Sequence, residues 1–584
     1  MTKKQSVDVL KEEKLYQLTS YQKDIWIQQC LYPNRQLYNI GGCFVIEGNI
    51  DYGKFQKAIN ILIEENDALR IKIIKRDGEY YQKIVPEIDY HLEFLDFSCG
   101  NGSIEKSKEW IENEAIKPFD MYDNFLFKFS LVKVNENLFY WLMLTHHVIT
   151  DGWGCSFLMG EMVNIYNSLI SGSEDEISVE KKNNSYVDFI MDNIDYLKSE
   201  AYKKNSEFWG KYLKEVPEPL MNRKGKKIQD TITSSRKTLK ISWKIYEKLI
   251  EYSKEKGCST FHSILAIVHM CFSKIYDKNE LIIGIPILNR KNAKQKNTFG
   301  LFVNLIPLKI ASDGNETFDV VANRIKKDLL QCYRHQKFPL GEILKLANND
   351  SENKRNVFDI TLSFEKFDFD KRFDGHKTTT KALVNKSEEN ALAIFVREYA
   401  EGQDIEIDFD YRFDVFDDNF PIENVMSYFQ FLLQDVINNP CNSISQFKIL
   451  NPIERQKILY DFNNTKADYS KDKTMHQLFE DQVEKTPDNL AAVFEGKEIT
   501  YRELNEKSNQ LAAFLKSKGV NAGEPVAIIM ERSMEMIIGV MGILKSGGAY
   551  VPIDPNFPIT RIGKMIENSN ISFIVSQSEQ SELV

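Results

Sequence analysis

The sequence predicts an α/β protein built from more than one domain, and three observations carry this. The chain has 584 residues, several times the ~150 residues of an ordinary domain. Segments whose apolar residues recur at helical spacing alternate along it with short runs that read as strands. Hydrophobic residues make up 42% and charged residues 27%, the balance of a globular chain that buries a sizeable core.

A helix is expected over 19–31, opened by Thr19 or Ser20 as N-cap. A strand follows at 42–46, then a helix over 55–66 with Phe55, Ile59, Leu62 and Ile63 on one face. The run LFYWLML at 138–144 has no polar alternation and reads as a buried strand. Past a short turn, Phe157, Leu158, Met162, Ile165 and Leu169 mark one face of another helix. The segment THHVITDGWG, 145–154, therefore sits at a strand-to-helix junction, where a rigid scaffold presents reactive side chains. The polar stretch 171–185 reads as an exposed connection between two lobes. Strands resume at 280–286 and 302–310. Residues 451–473 hold few aliphatics and many turn formers and read as a linker, and a separate α/β pattern starts at Thr474. The expected divisions are 1–175, 176–450, 451–473 and 474–584.

A net charge of -10 gives no basic footprint for nucleic acid. None of the eight cysteines forms a C-x-x-C pair, a pattern of reduced thiols rather than of a disulfide frame or zinc ribbon. The N-terminus is charged and polar, without the apolar core of a secretory signal. The longest apolar runs fall far short of the ~20 residues that span a bilayer. A cytoplasmic protein without a membrane span is expected.

Of the eight histidines only His146 and His147 are adjacent, and Asp151 and Gly152 follow them. A neutral imidazole, with an ordinary pKa of ~6.5, suits the removal of a proton from an attacking amine. The acid past the turn could instead fix the loop by pairing with a cation, and Gly152 would let a thin substrate arm approach the backbone. A zinc site is the alternative, but neighbouring residues on a strand point to opposite faces. From these residues alone acyl transfer stays one reading among several.

The wider pattern narrows it. HHVITDGW, 146–153, resembles the HHxxxDG signature of nonribosomal peptide synthetase condensation domains, members of the chloramphenicol-acetyltransferase-like superfamily. Further stretches match that family's motifs in order: LTSYQ at 18–22 with Ile25 and Trp26, NDALR at 66–70, and YVDF at 186–189. GIPILNR at 284–290 with FGLFVN at 299–304 comes next, then His335, Gln336, Phe338 and Pro339, and finally RNVF at 355–358. The resemblance implies two related α/β lobes in a V, with a tunnel between them that admits thioesters from opposite sides. It makes His147 the group that accepts or positions the amine proton, and His146 a structural neighbour. Asp151 would brace the loop by pairing with Arg290, and Gly152 would flank the thioester or its phosphopantetheine arm. Trp153 and Arg70, like Trp26, Tyr186 and Asp188, would support the site by packing or bracing, and Asn304 is placed loosely near the acceptor channel. No cofactor is expected to be bound by the chain itself. The substrates would arrive on phosphopantetheine: an acyl or peptidyl carrier protein or acyl coenzyme A as donor, an aminoacyl carrier protein as acceptor. The remainder of a synthetase is the expected partner.

The histidine pair argues against cyclisation relatives, which carry aspartates there. No EGHGR-type motif of epimerisation domains is found; LSFEK at 362–366 does not resemble it. The segment TSYQKDIWIQQCLYPNRQLYNIGG resembles starter-type domains, and the domain begins close to Met1. Both favour N-acylation by a starter acyl group, as in a lipopeptide, over elongation of a peptide. A catalytically silent carrier-docking module and a stand-alone O-acyltransferase are the readings from other classes.

From Thr474 the chain resembles the start of an adenylation domain, through HQLFEDQ at 476–482, ITYREL at 499–504 and LKSGGAYVPID at 544–554. The phosphate-cradling loop and the catalytic lysine that such domains carry later do not occur before Val584, so adenylation is not expected of this segment. A sheet cut before completion would leave edges prone to aggregation.

Overall fold

The computed structural model describes residues 14–99, 101–173, 184–221, 232–348, 357–366, 371–399 and 401–578. Most of the polar connection expected at 171–185 lies outside these, as do Arg355 and Asn356 of the last motif. The chain divides into two compact units, 1–458 and 459–584.

Among the described residues the first unit holds three sheets, the smallest of them Leu15–Gln17, Glu79–Ile84 and Ile71–Arg76 in that order. One has five strands in the order Lys377–Ala382, Asn39–Glu47, Leu138–His146, Phe127–Asn135 and Glu93–Asp96. Its central strand, Leu138–His146, is buried at every position after the first, which is why it reads as a continuous apolar run. The pleat sends Phe139, Trp141 and Met143 into a core with Phe55 of helix Tyr52–Glu65 and Leu158 and Tyr166 of helix Gly152–Ser171. It sends Tyr140, Leu142 and Leu144 the other way, against Ile111 of helix Ser103–Ala115. Two-residue alternation thus delivers one strand to two cores.

The second sheet has six strands in the order Asn304–Ala311, Glu280–Ile287, Ile360–Lys366, Leu392–Glu398, Ile405–Arg412 and Ser234–Ile241. Ile360–Lys366 runs parallel to both its neighbours and the other pairings are antiparallel. Helices Trp243–Glu255, Thr260–Tyr276, Phe318–Arg334 and Ile422–Asn438 supply its core. More than one stretch of the expected second lobe joins the first-lobe core, Tyr186 and Phe302 among the residues that do. Phe373 inserts among Phe55, Trp141 and Tyr166, and Lys377–Ala382 pairs with Asn39–Glu47, although both lie within the stretch expected to build the second lobe.

The elements legible in the sequence are present with bounds shifted by a few residues. The opening helix is Ser20–Leu31, with Thr19 and Gln22 forming a capping box. The helix expected at 55–66 is Tyr52–Glu65, and Gly152–Ser171 follows the histidine turn. The segment read as a linker opens with helix Pro452–Gln456 and a π turn, Lys457–Asp461. Among the described residues no single helix is long and apolar enough to cross a membrane.

The second unit begins with helix Met475–Lys485, capped by Thr474. It contains hairpin Leu490–Phe494 and Lys497–Thr500, then a parallel sheet in the order Ala549–Ile553, Pro525–Ile529, Phe573–Ser576. In LKSGGAYVPID, Gly547 takes φ 93° as C-cap of helix Met534–Ser546, a left-handed position that glycine accepts freely. Lys545 of the same motif turns inward, with Nζ 2.7 Å from Asn509 Oδ1 and 3.0 Å from Glu480 Oε1, tying three helices together.

Candidate active site

The strand Leu138–His146 ends in a single 3-10 turn, His147–Ile149, before Asp151 caps the next helix. His146 closes the strand and His147 opens the turn, and both rings lie edge-on to Tyr38. His146 continues the face of Tyr140, Leu142 and Leu144. It lies edge-on to Phe119 and Tyr38, its Nδ1 accepts from Val148 N at 3.2 Å, and its Nε2 is 3.2 Å from Gln29 Oε1. Burial, and then the neighbouring His147, push its pKa down to about 3.

His147 is the one residue of 145–150 that is not fully buried. Its backbone N–H donates to the Tyr38 carbonyl at 2.8 Å. Its Nδ1 is buried without a hydrogen-bond partner, and the carbonyls of His147 and Thr150 lie near the ring. Burial lowers the pKa of this imidazole below its ordinary value; the Asp151 carboxylate and those carbonyls pull the other way and lose. The neutral ring is thereby favoured, and the nitrogen without a partner, Nδ1, is the buried one.

Asp151 makes a different kind of contact. Its Oδ1 accepts from Gly154 N at 2.8 Å and from Arg290 Nη2 at 2.9 Å; its Oδ2 accepts from Phe302 N at 2.8 Å and Val303 N at 3.1 Å. The Arg290 side chain is wholly buried. Its Nη1 donates to the carbonyls of Gln295 and Thr298, its Nη2 also to Gly300, and it lies 3.9 Å over the Phe302 ring. A carboxylate that spends both oxygens on four donors holds a loop and has no lone pair placed for proton transfer. The pair fastens the first lobe's helix cap to the 295–303 segment of the second lobe.

Gly152 is exposed, and a Cβ built there would meet nothing within 4 Å, so open space adjoins the turn. Trp153 is 44% exposed, and its Nε1 donates to the Lys296 carbonyl at 2.8 Å. Arg70 is not drawn into this group: its guanidinium donates to the carbonyls of Ile63, Glu64, Val85 and Pro86. Trp26 is a core residue against Tyr80 and Tyr122. The Tyr186 hydroxyl donates to the Leu301 carbonyl at 2.8 Å, and its ring lies so close to Gly300 that a Cβ there would come within 2.2 Å of it. Asp188 pairs with Lys294 at the surface, an exposed contact of little energetic weight. Asn304 donates to the carbonyls of Gln336 and Phe338, fixing the later motif.

Three further residues hold the site. Gln22 Nε2 donates to the Val148 carbonyl at 3.1 Å, Gln29 meets His146, and Tyr38 receives His147 N–H on its carbonyl. Gln22 lies in the LTSYQ motif match and Gln29 and Tyr38 in the longer starter-like segment 19–42, but neither match assigned these three residues a role.

With this geometry in place, comparison with known proteins is informative. The Condensation domain family model matches residues 12–459, and that of AMP-binding enzymes matches 479–584. Surfactin synthase subunit 1 of Bacillus subtilis (strain 168) is 31% identical over 573 residues, and gramicidin S synthase 2 of Brevibacillus brevis is 30% identical over 569. These cover 97% and 96% of this chain but 16% and 12% of the relatives, so the chain spans less than a fifth of their length. Among solved structures, the starter condensation domain of rhizomide synthetase RzmA in complex with C8-CoA aligns with TM-score 0.67 at 20% identity, over 75% of this chain and 98% of that one. The four-domain nonribosomal peptide synthetase holo-AB3403, bound to AMP and glycine, aligns with TM-score 0.78 at 19% identity, over 98% of this chain and 44% of that one. The chain belongs to the condensation domain family of nonribosomal peptide synthetases, amide-forming acyltransferases, and continues into part of an AMP-binding enzyme domain.

Proposed function

We propose that this chain joins an acyl group to an aminoacyl amine in a starter-type condensation. The amine nitrogen of an aminoacyl group held on a carrier attacks the carbonyl carbon of an acyl thioester. The C–N bond forms, the C–S bond breaks, and the amine proton ends on the departing thiol by way of solvent or the site. His147 accepts or orients that proton, help worth typically 10²–10⁴-fold, with positioning contributing as much. The observation that carries this is the partly exposed His147 imidazole, its neutral form favoured by burial, on the turn that leads to the exposed Gly152. Asp151 and Arg290 act by holding that turn, with Trp153 tying the helix start to Lys296.

The donor is an acyl group on coenzyme A or on a carrier's phosphopantetheine, a reading supported by the starter-like opening segment and by the C8-CoA complex of the structural relative. The acceptor is an aminoacyl carrier protein, the remainder of a synthetase supplies the carriers, and the setting is the cytoplasm. The division at 451–473 separates a two-lobed condensation domain, 1–175 and 176–450, from the partial adenylation domain at 474–584.

Intact-mass spectrometry of an aminoacyl carrier protein tests this, with acyl coenzyme A, acyl carrier, aryl carrier and peptidyl carrier offered in turn. Transfer from an acyl donor, lost in His147→Ala, is the expected result. Transfer only from a peptidyl carrier would make the chain an elongating domain, and no transfer from any donor would leave a silent docking module.

A further inference from the structure

We infer that Gln29 is a positioning residue for the reaction, holding His146 in one neutral tautomer and, through it, the turn that carries His147. Gln29 is 3% exposed, and its Nε2 donates to the carbonyls of Tyr32 and Arg35 at 2.9 Å each. Both amide hydrogens are thereby used. Turning the amide over would set its oxygen against two carbonyl oxygens, so its orientation is decided. Oε1 then faces His146 Nε2 at 3.2 Å, and since a carbonyl oxygen only accepts, Nε2 carries the hydrogen. On the far side of the ring Nδ1 lies 3.2 Å from the Val148 N–H, a donor, so Nδ1 is bare.

The imidazole is thus a rigid relay between a helix side chain and the main chain of the turn. Val148 is gripped a second time, its carbonyl taking a hydrogen bond from Gln22 Nε2 at 3.1 Å, while the His147 N–H is held by Tyr38. With Nδ1 of His147 unpartnered, the ring's direction is set largely by this main chain. Without Gln29, the Nε2–H of His146 has no acceptor. The other tautomer becomes accessible, and its Nδ1–H would oppose the Val148 N–H and push the turn away.

The kinetic half of this rests on the amide-forming reading; the tautomer does not. In the full chain carrying ¹⁵N-labelled histidine, His146 is expected to show a protonated Nε2 that exchanges slowly and a bare Nδ1. A protonated Nδ1, or an imidazolium at neutral pH, would overturn the proposal. Gln29→Met keeps the side chain's length and removes its bonds. It is expected to lower kcat about 10- to 100-fold, the scale of a misplaced reacting group, with KM for both thioesters changed less than about twofold. Unchanged kcat in a folded Gln29→Met chain would equally sink the positioning role. If that variant does not fold, the spectrum of the unsubstituted chain still decides the tautomer. If the unsubstituted chain makes no amide, the functional reading falls and the positioning role with it, while the spectrum still reports which nitrogen holds the proton.

Discussion

At the scale of single residues, the site separates chemistry from support. His147 is partly exposed with its neutral form favoured, whereas Asp151, four positions on, is buried with both carboxylate oxygens engaged. Asp151→Asn is therefore expected to act on stability. An amide can satisfy only part of the carboxylate's four donors, and it leaves a wholly buried guanidinium without a countercharge. Removing one partner of such a pair costs about 3–5 kcal/mol, to be read as a lower denaturant midpoint for the condensation unit. An unchanged midpoint would contradict the brace. The sequence made the two histidines, Asp151 and Arg290 visible, because they fall within contiguous motifs. It did not make their partners visible. Gln29 acts on His146 from 117 positions away, and nothing in the local spelling of a helix says which polar side chain its fold will bury.

The opening helix makes this point at the scale of elements. Its buried residues are Tyr21, Gln22, Trp26 and Gln29, two of them polar, so its inward face shows no clean apolar stripe. The strand Leu138–His146 was legible for the opposite reason, because burial on both faces leaves a continuous apolar run. Lys377–Ala382 was missed because KTTTKA is a largely exposed edge strand whose place is fixed by Phe373 before it. The same opening helix also meets the second lobe. Asp24 Oδ2 accepts from Gly341 N at 3.0 Å, in the first turn of helix Leu340–Ala347. A Cβ at Gly341 would come within 2.2 Å of Asp24 Oδ1 and force that carboxyl to shift. Burial raises the Asp24 pKa from 3.8 to about 7, with Glu342 and Glu389 adding to the rise and Lys345 opposing it. A carboxyl raised in the folded state favours folding at low pH, and that advantage is lost as pH climbs from its unfolded value through about 7. Asp24→Asn keeps an acceptor for Gly341 and never ionises. It is expected to match the parent near pH 4 and to be more stable by roughly 1–3 kcal/mol near pH 8. Equal midpoints of parent and variant near pH 8 would show that the buried carboxylate carries no such cost.

At the scale of the whole molecule, the condensation unit and the AMP-binding segment differ in how they are built. The first unit has a large second-lobe core and a first-lobe core that wraps both faces of its sheet. The second has three small clusters and leaves Met475, Val493, Phe514 and Ile559 more than half exposed. Every residue at 461–473 is exposed, and past Asp461 none is in a helix or strand. Exposed backbone outside regular structure is where proteases cut first. Limited proteolysis is therefore expected to cleave within 461–473 and release a fragment holding all of the first unit. Every residue assigned here to acyl transfer, from Gln22 to Arg290, lies in that fragment, and each of its side-chain contacts is made inside it. The fragment should accordingly retain the parent's turnover with acyl and aminoacyl thioesters. Loss of turnover on cleavage, with the fragment still folded, would mean that the AMP-binding segment takes part in shaping the condensation site, and the assignment of the reaction to the first unit alone would have to be abandoned.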